Sequence, residues 1–410
     1  MGTRVRLSAM MGLSYAVQGA WWPLLAVHLD DLGVPERQRG WIFATLALSA
    51  LIAPAIAGRI ADRSVSAQKL LTIIYALGTG FLLTLASGTF RTVAGLFPLF
   101  LAYWLVLIPY LNLTNAVAMR NLPQPREQFG AVRLWGTVGW MSAGWLVSAT
   151  MTFGGFGPRA AFAVGAALSA TMTLVTLTLP KTPPLATSAR GLPLREAAEL
   201  LRRPGVAVLL ASGFLVSLTT PFVYQAVPLY LRSIGLPRSQ ITIALSLGQI
   251  PEILALGFLP AILHRLGHRR TLALGVAAWA AYHGLFASRP GLVIALATIP
   301  LNGLAIAFFH IVAPMDLDAQ SPPDRRAGVQ GLWVMMTSGL GSLIGGLMAG
   351  EVMQRAAGNW RVIFVVPATI ALAAMCLILV AFRTRAAIAP NYAARKPGDR
   401  VRVAAEPEFG

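Results

Sequence analysis

Apolar runs of about twenty residues recur from one end of the chain to the other, each long enough to cross the roughly 30 Å hydrocarbon core of a bilayer. No other feature restricts the fold as much. Inside lipid every backbone N–H and C=O must be satisfied internally, so a succession of such runs folds as a bundle of helices. Twelve runs are read, at 7–28, 40–60, 70–88, 93–119, 129–152, 158–180, 206–231, 239–262, 271–288, 291–318, 327–353 and 361–382. The composition agrees: 56% of the 410 residues are hydrophobic and 12% are charged. That is about half the charge with which a soluble domain covers its surface. An all-α polytopic membrane protein is expected. Soluble enzymes, secreted disulfide scaffolds and disordered chains are excluded. Cys376, the single cysteine, lies in an apolar run and cannot form an internal bridge.

The formal net charge of +18 would suit a nucleic-acid binder, but its placement serves topology instead. An even number of spans puts both termini on one side. The loops and termini of that side hold 24 of the 33 Lys and Arg, and the opposite loops hold the other nine: Arg37, Arg39, Arg91, Arg159, Arg232, Arg238, Arg289, Arg355 and Arg361. This bias places both termini in the cytoplasm. Nucleic acid is not an expected partner; the lipid bilayer is, with attraction to anionic headgroups as a secondary effect. The first run is expected to remain as a helix, because Trp21, Trp22 and Pro23 stand where a signal peptide needs small residues. Arg6 occupies the position where N-myristoylation requires Ser or Thr.

A polar segment at 181–205, with Pro183, Pro184 and Pro193, divides six spans (1–180) from six (206–383), leaving a tail at 384–410. Within the divider, 194–201 reads as a short amphipathic piece at the cytoplasmic surface. The halves echo one another: Gly130-Ala-Val-Arg-Leu-Trp135 opens the fifth span and Gly328-Val-Gln-Gly-Leu-Trp333 the eleventh. Repeated halves flanking a midplane site are the usual architecture of secondary transporters.

Gly58-Arg-Ile-Ala-Asp62-Arg63 followed by Lys69 resembles the loop signature of the major facilitator superfamily. Longer stretches resemble the nucleoside:proton symporter family within it: Pro109 to Asn115, Val132 to Gly139, Gly165 to Ala170 continuing to Pro180, and Gln330 through Thr337 to Gly346. The similarity spans nearly the whole chain. The phenylpropionate-permease group also shows an Arg-Leu-Trp-Gly run at the fifth span, so that motif alone leaves the substrate open. The resemblance implies the major facilitator fold of twelve helices and proton-coupled nucleoside import across the cytoplasmic membrane. A monomer without cofactor or metal is expected.

Of fifteen acidic residues, only Glu252 stands deep within an apolar run, near the middle of the eighth span. An ionised carboxylate there costs at least about 2.5–3.5 kcal/mol, so it should face a cavity or carry a proton. Its alternative role is a packing hydrogen bond between helices. Gln249 lies three residues earlier, on the same helix face, and Pro251 between them removes a backbone donor and should bend the helix. The family's Gln and Glu at this spacing contact the nucleoside, and Gln249 and Glu252 match that pair; an interhelical polar clasp is the other reading.

Arg133, Thr137 and Trp140 form one stripe of the fifth span. The resemblance implies substrate contact at Arg133 and Thr137, with Trp140 replacing the usual Phe. Arg133 lies near the cytoplasmic end, where it could instead snorkel to the headgroups. In the seventh span the family has Gln and Asn where this chain has Pro221 and Tyr224, with Gln225 adjacent as a possible substitute. Asn115 and Phe309 complete the candidate contacts. In the tenth span the resemblance calls for an Asp before a Phe-Phe pair, and this chain has Ala307. His310 follows the pair and is the candidate assistant to Glu252 in proton coupling. Gly58, Asp62 and Arg63 are candidate gating residues, and His264 and His268 lack the neighbours of a metal site. Gly341, Gly345, Gly346 and Gly350 should allow close helix approach in the eleventh span.

Three function classes therefore stand side by side. A proton-coupled importer has the repeat, the loop signature and a polar midplane in its favour. An intramembrane enzyme lacks H-E-x-x-H, a cysteine nucleophile and a close carboxylate pair. A non-transporting sensor stays open because of Ala307, and within the transporters a permease for a small aromatic carboxylate stays open because of the shared Arg-Leu-Trp-Gly run.

Overall fold

A computed structural model describes residues 2–61, 65–183, 202–322 and 325–382, with backbone alone at 53–61, 126 and 327. The candidate gating residues Gly58, Asp62 and Arg63, the segment 194–201 and the tail lie outside what is described of side chains or chain.

The described residues are helical nearly throughout and contain no strand. Eight stretches are long and apolar enough to cross a membrane. One of them, Arg238–Ala287, has 50 residues, about 75 Å of helix, and so more than two bilayer cores. It breaks at Gly267, where φ is 72° and ψ is 164°, a conformation open to a residue without Cβ. It is therefore two passes. Thr3–Trp21 continued by Leu25–Asp31, Glu36–Ala61 and Pro125–Gly154 supply three more rods, each with charges near an end. The rods follow the order of the twelve expected spans. The first runs on to Asp31 rather than stopping near 28, and carries a tight 3-10 turn at Trp22–Leu24.

Within the first half, span one packs on spans five and six, three on six, and two on four. The second half repeats this, with seven on eleven and twelve, and the ninth and tenth closing the group. Each half has an aromatic core. Trp21 lies 5.4–5.6 Å from the rings of Phe100, Tyr103, Trp104 and Phe162. Tyr230 lies 5.4–5.8 Å from Phe286, Trp360 and Phe364. Rings this close add about 0.5–1.5 kcal/mol per pair beyond area burial, which keeps each half a unit.

The halves meet where spans two and eleven cross, and where five meets eight. Span eleven divides its glycines between two neighbours, as their spacing suggests. A Cβ on Gly341 would stand 2.7 Å from the Ser217 side chain of span seven. A Cβ on Gly350 would stand 2.7 Å from the Glu36 carbonyl oxygen, and one on Gly40 2.8 Å from that of Gly346. Thr242 Oγ1 donates to the Gly144 carbonyl at 2.7 Å and Trp145 Nε1 to Ser246 Oγ at 3.0 Å, tying eight to five.

At the end remote from the N-terminus, charged residues join the halves. Arg232 Nη1 reaches Asp30 at 2.8 Å and Asp31 at 2.9 Å, and Arg238 reaches Asp31 at 2.9 Å. Arg39 holds Asp30 from its own half at 2.7 Å. Arg37 of span two pairs with Glu351 of span eleven at 3.1 Å. This far end is closed.

Candidate functional site

Span eight explains why the centre is polar. Pro251 cannot donate to the Leu247 carbonyl, and the helix breaks at Leu247–Gly248, between Ile241–Ser246 and the helix that starts at Gln249. With its amide nitrogen turned to the helix, Gln249 donates to the carbonyls of Ser246 (2.9 Å) and Leu245 (3.2 Å) beside the break. Gly248 lies against Gly303 of span ten at this break, so the two backbones touch. The result is a polar notch at the meeting of both halves.

A cavity of about 20 Å³ occupies that notch, lined by Pro23, Trp140, Tyr224, Gln249, Tyr282 and Asn302 among others. Small-molecule sites run to about 300–1,000 Å³, so a sugar-and-base ligand needs the helices to part. Larger cavities exist, of about 490 Å³ around His28, Arg91 and Arg159 and about 410 Å³ around Trp145 and Phe153. Neither touches the polar residues of the centre. The small cavity is the candidate because hydrogen-bonding groups from both halves converge there.

The guanidinium carbon of Arg133 stands 4.2 Å from the centre of the Tyr15 ring. Arg133 is thus held over an aromatic face, a contact worth about 0.5–1 kcal/mol when exposed and more when desolvated. It lies within electrostatic reach of Glu252 across the junction, and Glu252 in turn acts on Tyr15 and Tyr224. A basic and an acidic side chain, one from each half, therefore lie within electrostatic range of one another near the centre. Trp22 meets Tyr224 edge-on at 5.7 Å, joining the two halves beside the notch.

The structure gathers Trp140, Tyr224 and Gln249 on the cavity, with Glu252 one turn past Gln249 and within electrostatic reach of Arg133, and Thr137 half-buried one turn from Arg133. The other candidates go elsewhere. Gln225 is one position past Tyr224 and so about 100° round the helix; its Nε2 donates to the Gly346 carbonyl at 3.1 Å, and the side chain is a clasp between spans seven and eleven. Phe309 is buried against Trp333 and His310. Asn115 is half-buried in span four, its Oδ1 enclosed without a hydrogen-bond partner among the described residues. His310 packs its ring 5.6 Å from Trp279. Tyr15, Tyr282 and Asn302 join the centre although nothing in the sequence reading singled them out. A search of apolar runs for amides as well as acids would have found Asn302; tyrosines in such runs are indistinguishable from core aromatics.

Among the described residues no group of three His, Cys, Asp or Glu could hold a metal. Between spans eight and nine, His268 Nδ1 pairs with Asp316 near the end of span ten. The hydrogen bond to that carboxylate raises the imidazole above its ordinary value of 6.5, against a smaller opposing effect of burial.

The family model described as Nucleoside H+ symporter matches residues 1–387. YegT of Escherichia coli (strain K12) is 29% identical over 367 residues, spanning 87% of this chain and 85% of the relative. Nucleoside permease NupG of the same organism is 26% identical over 397 residues, 89% of this chain and 92% of the relative. Its xanthosine permease is 26% identical over 408 residues, 93% and 96% of the two chains. The solved structure of the nucleoside transporter NupG superposes with a TM-score of 0.81 at 24% identity, over 94% of this chain and 100% of that one. A D-xylose-proton symporter structure gives 0.70 at 14% identity, over 93% and 98%. These two likenesses carry the fold, that of the major facilitators. With the family model matched over nearly its whole length, the chain belongs to the nucleoside:proton symporter family, whose members are transporters and not enzymes.

Proposed function

We propose that the protein imports nucleosides together with protons by rocking its two halves about the central notch, with both termini in the cytoplasm and the far end outside. The convergence of Trp140 from one half with Tyr224, Gln249 and Asn302 from the other on one central cavity carries this reading. Trp140 offers an aromatic plane for a base, and Gln249 an amide for its edge or for ribose. Glu252 is the proton-carrying group. A carboxyl shut in a dry centre holds a proton, and opening to water lets it leave. Because substrate and proton share one helix face, each changes the binding of the other by the same factor.

The test uses proteoliposomes and labelled uridine and adenosine, with phenylpropionate as the competing substrate class. An imposed pH gradient should drive accumulation that a protonophore collapses. Glu252→Gln should keep exchange of labelled for unlabelled nucleoside and lose uphill accumulation. Accumulation that persists in Glu252→Gln but disappears in His310→Ala would move the coupling to His310. Wild-type uptake of phenylpropionate alone would reject the nucleoside reading.

A further inference from the structure

Tyr282, on span nine, is fully buried, yet its hydroxyl has no hydrogen-bond partner among the described residues. Leaving a buried hydroxyl unpaired is costly, and such groups are rare enough in folded proteins to call for a reason. The ring cannot turn away to find one. It is packed edge-on against His283 at 5.2 Å and Phe286 at 5.0 Å, and tilted against Trp279 at 6.4 Å. The residue also lines the central cavity, together with Trp140, Gln249 and Asn302. A rigid phenol thus brings an unused donor to the place where an aromatic plane and two amides converge. That combination suits a flat heteroaromatic ring bearing acceptor atoms on its edge.

We propose that Tyr282 is a specificity-determining residue of the transport site, its hydroxyl donating to a ring-nitrogen or carbonyl acceptor on the nucleoside base. The assignment rests on the functional reading above. It places one discriminating contact on span nine, behind the Gln249–Glu252 face. A donor fixed by its packing is effective in this role because little motion is frozen when the ligand arrives. A base lacking the matching acceptor leaves the phenol unpaired and is selected against.

Tyr282→Phe keeps the ring packing and removes only the hydroxyl. Uptake by wild type and variant is compared in proteoliposomes over uridine, adenosine, deaza-adenosines lacking N1, N3 or N7, and adenosines lacking the 2′, 3′ or 5′ hydroxyl. Detergent thermal stability of both proteins is measured alongside. The expected result is a KM for the parent nucleoside raised roughly three- to tenfold in the variant. One base analogue should be penalised by a similar factor in wild type and not further in the variant, with the thermal stability of the variant equal to or above that of wild type. Equal KM values for wild type and Tyr282→Phe across the panel would overturn the assignment. So would a penalty that couples to a sugar hydroxyl instead of the base, or a general loss of uptake matched by a loss of thermal stability. A wild-type protein that takes up adenosine and uridine while Tyr282→Phe is indifferent rejects the role of Tyr282 alone; one that takes up neither rejects the nucleoside reading itself.

Discussion

Arg232→Ala should loosen the closure of the far end. The arginine makes two of the ion pairs that join the halves there, to Asp30 at 2.8 Å and Asp31 at 2.9 Å, while Arg238–Asp31 and Arg37–Glu351 remain. The side chains are partly exposed, 30% for Arg232 and 33% and 20% for the two aspartates. Solvent screening therefore keeps each pair within about 0.2–1 kcal/mol. Losing both removes about 0.5–2 kcal/mol from the far-closed state, which multiplies the far-open to far-closed ratio by about 2 to 30. Ser233 lies beside the cluster, lining the same cavity as Asp30 and Arg232. A Ser233→Cys reporter in a Cys376→Ser background should react faster with a membrane-impermeant maleimide once Arg232 is Ala. Arg232→Lys should restore most of the protection. High salt should speed labelling of the Arg232-containing reporter and change the Arg232→Ala protein less, because exposed charges are screened over about 8–10 Å at moderate ionic strength. Equal labelling rates with and without Arg232, at low salt, would show that these pairs decorate the closed end without holding it.

Arg133→Lys should lower uptake with expression intact, since a point charge cannot reproduce the guanidinium fork or its stacking on Tyr15. Tyr15→Leu should do the same through loss of the cation–π contact, about 0.5–2 kcal/mol; normal uptake in both variants would restore the snorkelling role for Arg133. The His268–Asp316 contact should give the protein a pH-dependent stability. An imidazole raised above 6.5 by its partner contributes fully below the free value, and the contribution is lost as pH climbs through the raised one. The thermal unfolding temperature in detergent should therefore fall as pH rises from about 6.5 through the raised value in wild type, and His268→Asn should flatten that fall; identical slopes would sink the assignment.

The spans were legible because lipid allows no alternative to helix over an apolar run of that length. The break near Pro251 was legible for the same local reason, a missing backbone donor, and the structure puts it at Leu247–Gly248. Glu252 could be found by elimination because it is polar where almost nothing else is. What escaped depends on how separate pieces of chain are placed. Asp30 and Arg232 are 202 positions apart, and as isolated loop charges they read as solvated. Gln225 looked like a substitute ligand because it adjoins Tyr224, yet adjacency on a helix means a different face. Tyr282 and Tyr15 carry no sign in the sequence that one hydroxyl would reach the centre and one ring would hold Arg133.

The backbone sets several helices around the notch apart independently of any side chain. Span one carries a 3-10 turn at Trp22–Leu24, and four, seven and eight are interrupted beside Pro109, Pro228 and Pro251. Ten and eleven open into π turns at Ile306–His310 and Met335–Gly341. Three, six and twelve run through as Ala67–Ser87, Ala160–Leu177 and Trp360–Ala381. Non-helical backbone at membrane depth is tolerated only where protein buries it or water reaches it, and π turns gather at working sites. Spans one, seven, eight and ten, all broken, line the notch, while five and nine reach it as unbroken helices. Ala307 lies inside the π turn of span ten, where the resemblance calls for a carboxylate. The opening of the backbone at that point does not depend on the side chain, because alanine sustains it. A carboxylate there would serve chemistry more than architecture, and in this chain the one acid left among the central residues is Glu252.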